Sequence, residues 1–132
     1  MQGRNSWNVS YNTIEFFEKV LSGHTQVKSF ERVNDIEFLV AKSSGEVLDV
    51  LLLNEYSLGL AAVLKAQKEF PGVEYFVTGA NWNGYTPEAK EHGRMNSLGV
   101  FNLGEFLGAL NLNNPKLFVR KDSNGDPIYA YK

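Results

Sequence analysis

The sequence predicts an α/β domain in which a mixed β-sheet is flanked by helices. Three strand-like segments follow one another over residues 26–54, and residues 73–110 alternate between strand and helix. Consecutive strands joined by tight turns pair antiparallel, whereas a strand–helix–strand unit places its strands parallel through a right-handed crossover. We therefore expect an antiparallel first half and a parallel second half.

Composition indicates one globular domain over residues 1–132. The chain is 43% hydrophobic and contains no cysteine, which excludes a disulfide framework and a thiolate metal site and suits a cytoplasmic protein. The longest apolar run, Val50 to Leu53, is far shorter than the ~20 residues that span a membrane. The net charge of −2 argues against strong autonomous DNA binding, which usually relies on a basic surface.

The first half of the chain begins with a helix over residues 10–22, in which Ile14, Phe17 and Leu21 recur at helical spacing. Strands are predicted over residues 26–33, 35–42 and 46–54, with a turn at residues 43–45. A second helix covers residues 57–70, and Pro71 with Gly72 ends it.

The second half continues with a strand over residues 73–78. Thr86 caps the next helix and Pro87 occupies its first turn, so that helix extends from residue 87 to about residue 96. A strand over 98–102 and a helix over 103–110 complete the core, which covers about residues 10–110.

A C-terminal hairpin is predicted over residues 116–132, around the turn sequence DSNGD. Its apolar side chains include Phe118, Ile128 and Tyr131. An isolated hairpin is marginal in water, so we expect it to pack either on the core sheet or on a second copy of the chain in a homodimer.

Two acids interrupt the apolar strands. Asp49 lies in the segment VLDVLLL, where a lone carboxylate is costly unless it is paired, hydrogen-bonded or bound to a cation. Asp35 opens the preceding predicted strand, and adjacent strands can bring the two carboxylates together to bind Mg²⁺. The alternatives are an Asp49 that faces solvent or pairs with a lysine, and an Asp35 that is a turn residue.

The order helix, three strands, helix, strand, together with the pattern Asp35…Asp49-Val50-Leu51, resembles the PD-(D/E)xK nuclease superfamily and its Mrr-like restriction endonucleases. The segments FVTGANWNGYTPEAKEHG and LGVFNLGEFLGAL are similar to the later part of that fold. The resemblance implies a restriction-endonuclease-like mixed sheet and a Mg²⁺-dependent DNA endonuclease, with Asp35 and Asp49 as metal ligands.

The chain departs from the family at Leu51, which occupies the position of the family's catalytic lysine. Lys42 or Lys65 can take over the role of that lysine, and Glu15 of the first helix can add a metal ligand. The alternative for each of these three residues is an exposed surface side chain. The departure also favours a second interpretation, a non-catalytic module that binds nucleic acid or protein.

The loop GANWNGY follows a strand and precedes a helix, and it is a second candidate site. Aromatic rings stack on nucleic acid bases, so Trp82 and Tyr85, with the basic Lys28, are candidate DNA-binding residues. The alternative is a turn in which Trp82 packs over the edge of the sheet.

Overall fold

The computed structural model describes residues 7–132, which form helices and strands around one five-stranded sheet. The helices are α1 (Tyr11–Ser22), α2 (Leu60–Glu69), α3 (Pro87–Met95) and α4 (Leu103–Ala109). The strands are β1 (Val27–Asn34), β2 (Glu37–Lys42), β3 (Val47–Leu53), β4 (Ser57–Leu58), β5 (Tyr75–Thr78), β6 (Gly84–Tyr85), β7 (Gly99–Asn102), β8 (Arg120–Lys121) and β9 (Pro127–Ile128).

The main sheet has the strand order β1-β2-β3-β5-β7. The pairs β1–β2 and β2–β3 are antiparallel, whereas β3–β5 and β5–β7 are parallel. This mixed α/β architecture confirms the predicted fold class. Strand β1 forms one edge of the sheet, and its register with β2 is irregular at two points.

Helices cover both faces of the sheet. On one face, Phe17 of α1 contacts Phe38 with ring centroids 5.1 Å apart, and Phe106 of α4 contacts Tyr75 at 6.1 Å. The crossovers β3–α2–β5 and β5–α3–β7 proceed in the same direction across the sheet, so right-handed connections place α2 and α3 on the opposite face. We call these surfaces the α1 face and the α2 face.

Capping side chains set the beginnings of three helices. The Ser10 hydroxyl accepts from the Thr13 amide, and the Thr86 hydroxyl accepts from the Ala89 amide ahead of Pro87, as the sequence predicts. Asn102 and Glu105 form a capping box at α4. Helix α2 begins at residue 60 rather than 57, because residues 57–58 are taken into the short parallel pair β4–β6.

The C-terminal segment packs on the core of its own chain. Strands β8 and β9 form a small antiparallel hairpin, and Phe118 contacts Phe101 with ring centroids 6.2 Å apart. Tyr131 then forms a parallel bridge with Tyr85, which extends the β4–β6 pair. A β-carbon at Gly84 would overlap the Ala130 carbonyl oxygen, so this approach requires glycine. No helix in the described part of the chain has the length and apolar character needed to cross a bilayer.

Candidate functional site

Asp35 lies in the turn between β1 and β2, not within a strand. Its φ is +56°, and its carboxylate Oδ1 is 3.4 Å from Nη2 of Arg32, whose Nε also donates to the Asp35 carbonyl. The next residue, Ile36, accepts through its carbonyl from the Leu52 amide. Asp35 therefore lies beside the C-terminal end of β3.

Asp49 lies nearer the opposite end of the same strand. It pairs with Leu39 and lies three positions before Leu52, which is about 10 Å along an extended strand. The register thus does not bring Asp35 and Asp49 together as a shared metal site. The expected placement of Asp35 at the start of a strand is also wrong, because β2 begins at Glu37.

The carboxyl group that interacts with Asp49 is that of Glu37. Directly paired residues of antiparallel strands share a face, so the pairs Glu37–Leu51 and Leu39–Asp49 put both acids on the α2 face. Asp49 is half-buried, and its Oδ1 has no hydrogen-bond partner within residues 7–132. We call Glu37 and Asp49 the acid pair.

The acid pair retains a proton near neutral pH. Burial raises the pKa of Asp49 to about 7, helped by the Glu37 carboxyl, which favours a shared proton and repels a second negative charge. Glu74, directly before β5, adds further repulsion, and its amide donates to the Asp49 carbonyl at 2.9 Å. The backbone at Gly72 also lies close to the Asp49 carboxyl group, since a β-carbon at Gly72 would be 3.0 Å from Asp49 Oδ2.

Leu51 supplies the apolar side of this site. It pairs with Glu37, follows Asp49 by two residues on the same face and is fully buried. Its neighbour on β5 is the fully buried Phe76. A side chain at position 51 therefore reaches the acid pair, and leucine brings no charge to it.

The two lysines considered as substitutes for Leu51 lie elsewhere. Lys42 is on the α1 face with Phe38 and Val40, and its buried Nζ donates to the Leu112 carbonyl at 2.6 Å. Lys65 is exposed on α2, where its Nζ is 3.9 Å from Glu69 and 4.6 Å from the centre of the Trp7 ring. Neither lysine has a hydrogen bond or ion pair with the acid pair.

Another lysine does reach this edge of the sheet. Lys116, in the 3-10 turn after α4, is 3.1 Å from the Glu74 carboxylate through its Nζ. It neutralises Glu74 rather than Asp49. Lys116 thus lies beyond the acid pair and not between its carboxyl groups.

Glu15, the third candidate metal ligand, lies across the sheet from Asp49. It is exposed on α1, which covers the α1 face, and hydrogen bonding to its carboxylate raises the pKa of Tyr11. Within residues 7–132, no cluster of three or more histidine, cysteine, aspartate or glutamate side chains is arranged to hold a metal ion.

The three candidate DNA-binding residues occupy different environments. Tyr85 is fully buried, and its hydroxyl donates to Glu105 Oε2 at 2.7 Å, so its ring is not exposed for stacking. Lys28 is exposed on the edge strand β1, far along the sheet order from the 79–85 loop. Trp82 is 71% exposed at the tip of that loop and remains a candidate by geometry.

Trp82 borders a groove at the C-terminal ends of β3 and β5. The groove has a volume of about 360 Å³, and we call it the aromatic groove. Among residues 7–132, no charged side chain lines it. Its main side-chain contributors are Asn12, Thr13, Phe16, Asn54, Asn81 and Trp82.

Buried amides hold the loop that carries Trp82. Asn83 Nδ2 donates to Asn54 Oδ1 at 3.1 Å, to Thr78 Oγ1 at 3.2 Å and to the Gly79 carbonyl. Asn102 Nδ2 in turn donates to the Asn83 carbonyl at 3.1 Å. Within this rigid loop Ala80 has a φ of +94°, a left-handed conformation that costs a non-glycine residue free energy.

Sequence reasoning missed Glu37, although the sequence carries the signal for it. A tight turn centred on Ser44 pairs residues equidistant from it, which places Leu39 opposite Asp49 and Glu37 on the same face two residues away. The same rule places Asp35 beyond the reach of Asp49.

Comparisons of this chain with protein-family models, with curated proteins and with solved structures found no match.

Proposed function

We propose that this chain is a non-catalytic interaction module, which binds nucleic acid or protein on a scaffold that resembles the restriction endonucleases. The observation that carries the proposal is the fully buried Leu51 beside the acid pair. A phosphodiesterase built on two carboxylates needs a cation there to orient the attacking water and to offset phosphate charge. Leucine does neither.

The electrostatics of the acid pair support the same conclusion. The pKa of Asp49 is raised to about 7, so a cation that binds this carboxyl group near neutral pH must displace a proton. Losing one preorganised electrostatic stabiliser typically costs on the order of 10²–10³ in rate. Both effects act against hydrolysis at the same carboxyl groups.

The second candidate function is a Mg²⁺-dependent DNA endonuclease. One observation favours it: Asp49 Oδ1 is buried without a hydrogen-bond partner in residues 7–132, next to a second carboxyl group. Carboxylate oxygens are the donors that Mg²⁺ prefers, so Asp49 and Glu37 would hold such an ion, which would supply an activated water.

Plasmid cleavage distinguishes these functions. The unmodified chain is incubated with supercoiled DNA and 10-fold steps of Mg²⁺ or Mn²⁺ at pH 8, where the acid pair is most ionised. We expect no cleavage above that of an Asp49→Asn, Glu37→Gln control. Metal-dependent cleavage that both substitutions abolish would establish the endonuclease instead, with Lys116→Ala as the next variant.

Leu51→Lys provides the complementary measurement. It places a cation beside the acid pair, so a scaffold that has lost only this charge gains metal-dependent nicking. Circular dichroism checks that the variant is folded, and Leu51→Met serves as the uncharged control of similar length.

A further inference from the structure

We infer that the aromatic groove binds an unpaired nucleobase, held between Trp82 and Phe16 and read by the asparagine side chains at its rim. The inference rests on the proposed interaction function and gives that function a ligand class. It concerns the α1 face of the sheet, whereas the acid pair lies on the α2 face.

The walls of the groove suit a flat aromatic ligand. Trp82 is 71% exposed and Phe16 is 54% exposed, and both line the same groove. Within residues 7–132, the Trp82 indole has neither a hydrogen bond nor a ring contact. Every base offers a π-face, and stacking on an aromatic side chain is therefore tolerant of sequence.

The polar groups of the groove suit the edge of a base rather than a phosphate. The side chains of Asn12 and Asn81 are exposed at the groove, and an amide presents a donor and an acceptor side by side, as the edge of a base does. Asn54 is also exposed there, but its Oδ1 already accepts from Asn83. No lysine or arginine of the described residues lines the groove, and the chain has a net charge of −2. An uncharged ring is thus favoured over an anionic group.

The groove is preorganised for such a ligand. A β-carbon at Gly79 would lie 3.2 Å from Thr13 Cγ2 and 3.4 Å from Leu52 Cδ1, so the loop backbone already contacts α1 and β3. The Asn83 hydrogen bonds fix the same loop, and the left-handed Ala80 lies directly before Asn81 and Trp82. Strained backbone in a well-fixed loop is typical of ligand sites. A volume of about 360 Å³ is at the small end of ligand pockets.

Isothermal titration calorimetry with the full chain tests the inference. The probes are adenosine, guanosine, cytidine and uridine, a single-stranded DNA 12-mer, and the same 12-mer as a duplex. We expect saturable binding of at least one nucleoside and of the single strand, but not of the duplex. If the single strand binds with the same affinity per base as a nucleoside, and salt does not change that affinity, the natural ligand is a free nucleoside. Tighter binding of the single strand that weakens with salt indicates a nucleic acid strand.

Trp82→Ala should weaken binding by about 5- to 150-fold, the range that removing one base-stacking ring produces. Trp82→Phe keeps a ring and should stay within a few-fold of the unmodified chain, and Asn12→Ala should alter the order of preference among the nucleosides. Leu117→Ala is the matched control, since Leu117 is also 71% exposed but lies outside the groove.

Several results would overturn the inference. They are no saturable binding of any nucleoside or of the single strand, equal binding by Trp82→Ala, or Trp82-dependent binding of an apolar dye alone. None of these binding results concerns DNA cleavage, so they would leave the proposed loss of catalysis unchanged. Conversely, plasmid cleavage by the unmodified chain would overturn the proposed function without changing the calorimetry.

Discussion

Leu51 pairs directly with Glu37 across β2 and β3, and Asp49 lies two residues before Leu51 on the same face of the sheet. An apolar side chain is therefore placed beside two acids of like charge. Burial and repulsion act together on these acids and keep a proton on the pair.

Asp49→Asn should change how stability depends on pH. In the folded chain the pKa of Asp49 is about 7, against about 3.9 in the unfolded chain, so the folded state binds the proton more tightly. The stability that protonation of Asp49 contributes is fully present below about pH 4 and is lost as the pH rises through about 7. At pH 8 we expect the neutral asparagine to raise the free energy of unfolding by about 1–2 kcal/mol, a value discounted for solvent screening.

Urea unfolding followed by circular dichroism at pH 4, 6 and 8 measures this effect. The gain of Asp49→Asn over the unmodified chain should shrink as the pH falls. Glu31→Gln, an exposed carboxylate on the edge strand, is the control. Parallel stability profiles for the unmodified chain and Asp49→Asn would show that Asp49 titrates normally.

Leu51→Lys should reverse the pH trend of the site. A cation beside the acid pair lowers the pKa of Asp49, because the opposite charge favours the ionised form. Burying the ammonium group should cost about 2–4 kcal/mol at pH 5 and less at pH 8, where both carboxyl groups can pair with it. The same urea series measures both values, and a cost that grows with pH would contradict the placement of position 51 beside the acids.

Gly84→Ala should detach the C-terminal segment from the core. The new methyl group would overlap the Ala130 carbonyl, and we expect a loss of about 2–3 kcal/mol in the free energy of unfolding. Gly59→Ala is the matched control, because a β-carbon there meets open space and only the cap of α2 changes. Hydrogen exchange of the Tyr85 amide, which donates to Ala130, provides a local readout, and unchanged protection in Gly84→Ala would contradict this packing.

Ala80→Gly should stabilise the chain by about 1 kcal/mol, since glycine adopts a φ of +94° without strain and the gain exceeds the added entropy of the unfolded chain. The same substitution at Ala61, exposed within α2, should cost about 1 kcal/mol. Thermal unfolding of both variants compares the two signs directly. Destabilisation by both substitutions would show that Ala80 is unstrained.

Local sequence signals predicted most of the fold. Within residues 7–132, periodicity and caps located the four α-helices and the five strands of the main sheet, because each of these signals acts within one element or one turn. The β4–β6 pair was missed because it joins residues 57–58 to residues 84–85, whose contact depends on the assembled core. Because this pairing leaves no local signal in the sequence, the predicted second helix includes Ser57.

The site was less predictable than the fold. Asp49 stood out because a carboxylate is unusual in an apolar strand, whereas Glu37 lies in a strand of ordinary alternation. The sequence predicts Asp35 at the start of a strand, but the hairpin register and its contact with Arg32 place it in the β1–β2 turn, away from Asp49. Trp82 and Tyr85 are three residues apart, but Tyr85 lies in β6, where it pairs with Leu58, donates to Glu105 and is covered by the C-terminal segment.

The irregular edge strand has a consequence for how the protein behaves at high concentration. An exposed edge is a template for strand addition between molecules, and a flat eight-residue strand would invite fibrous aggregation. In β1 the register breaks near both ends, and Lys28, Glu31 and Arg32 project charge along it. A second strand thus meets a bent and charged border at β1, which disfavours strand addition at this edge.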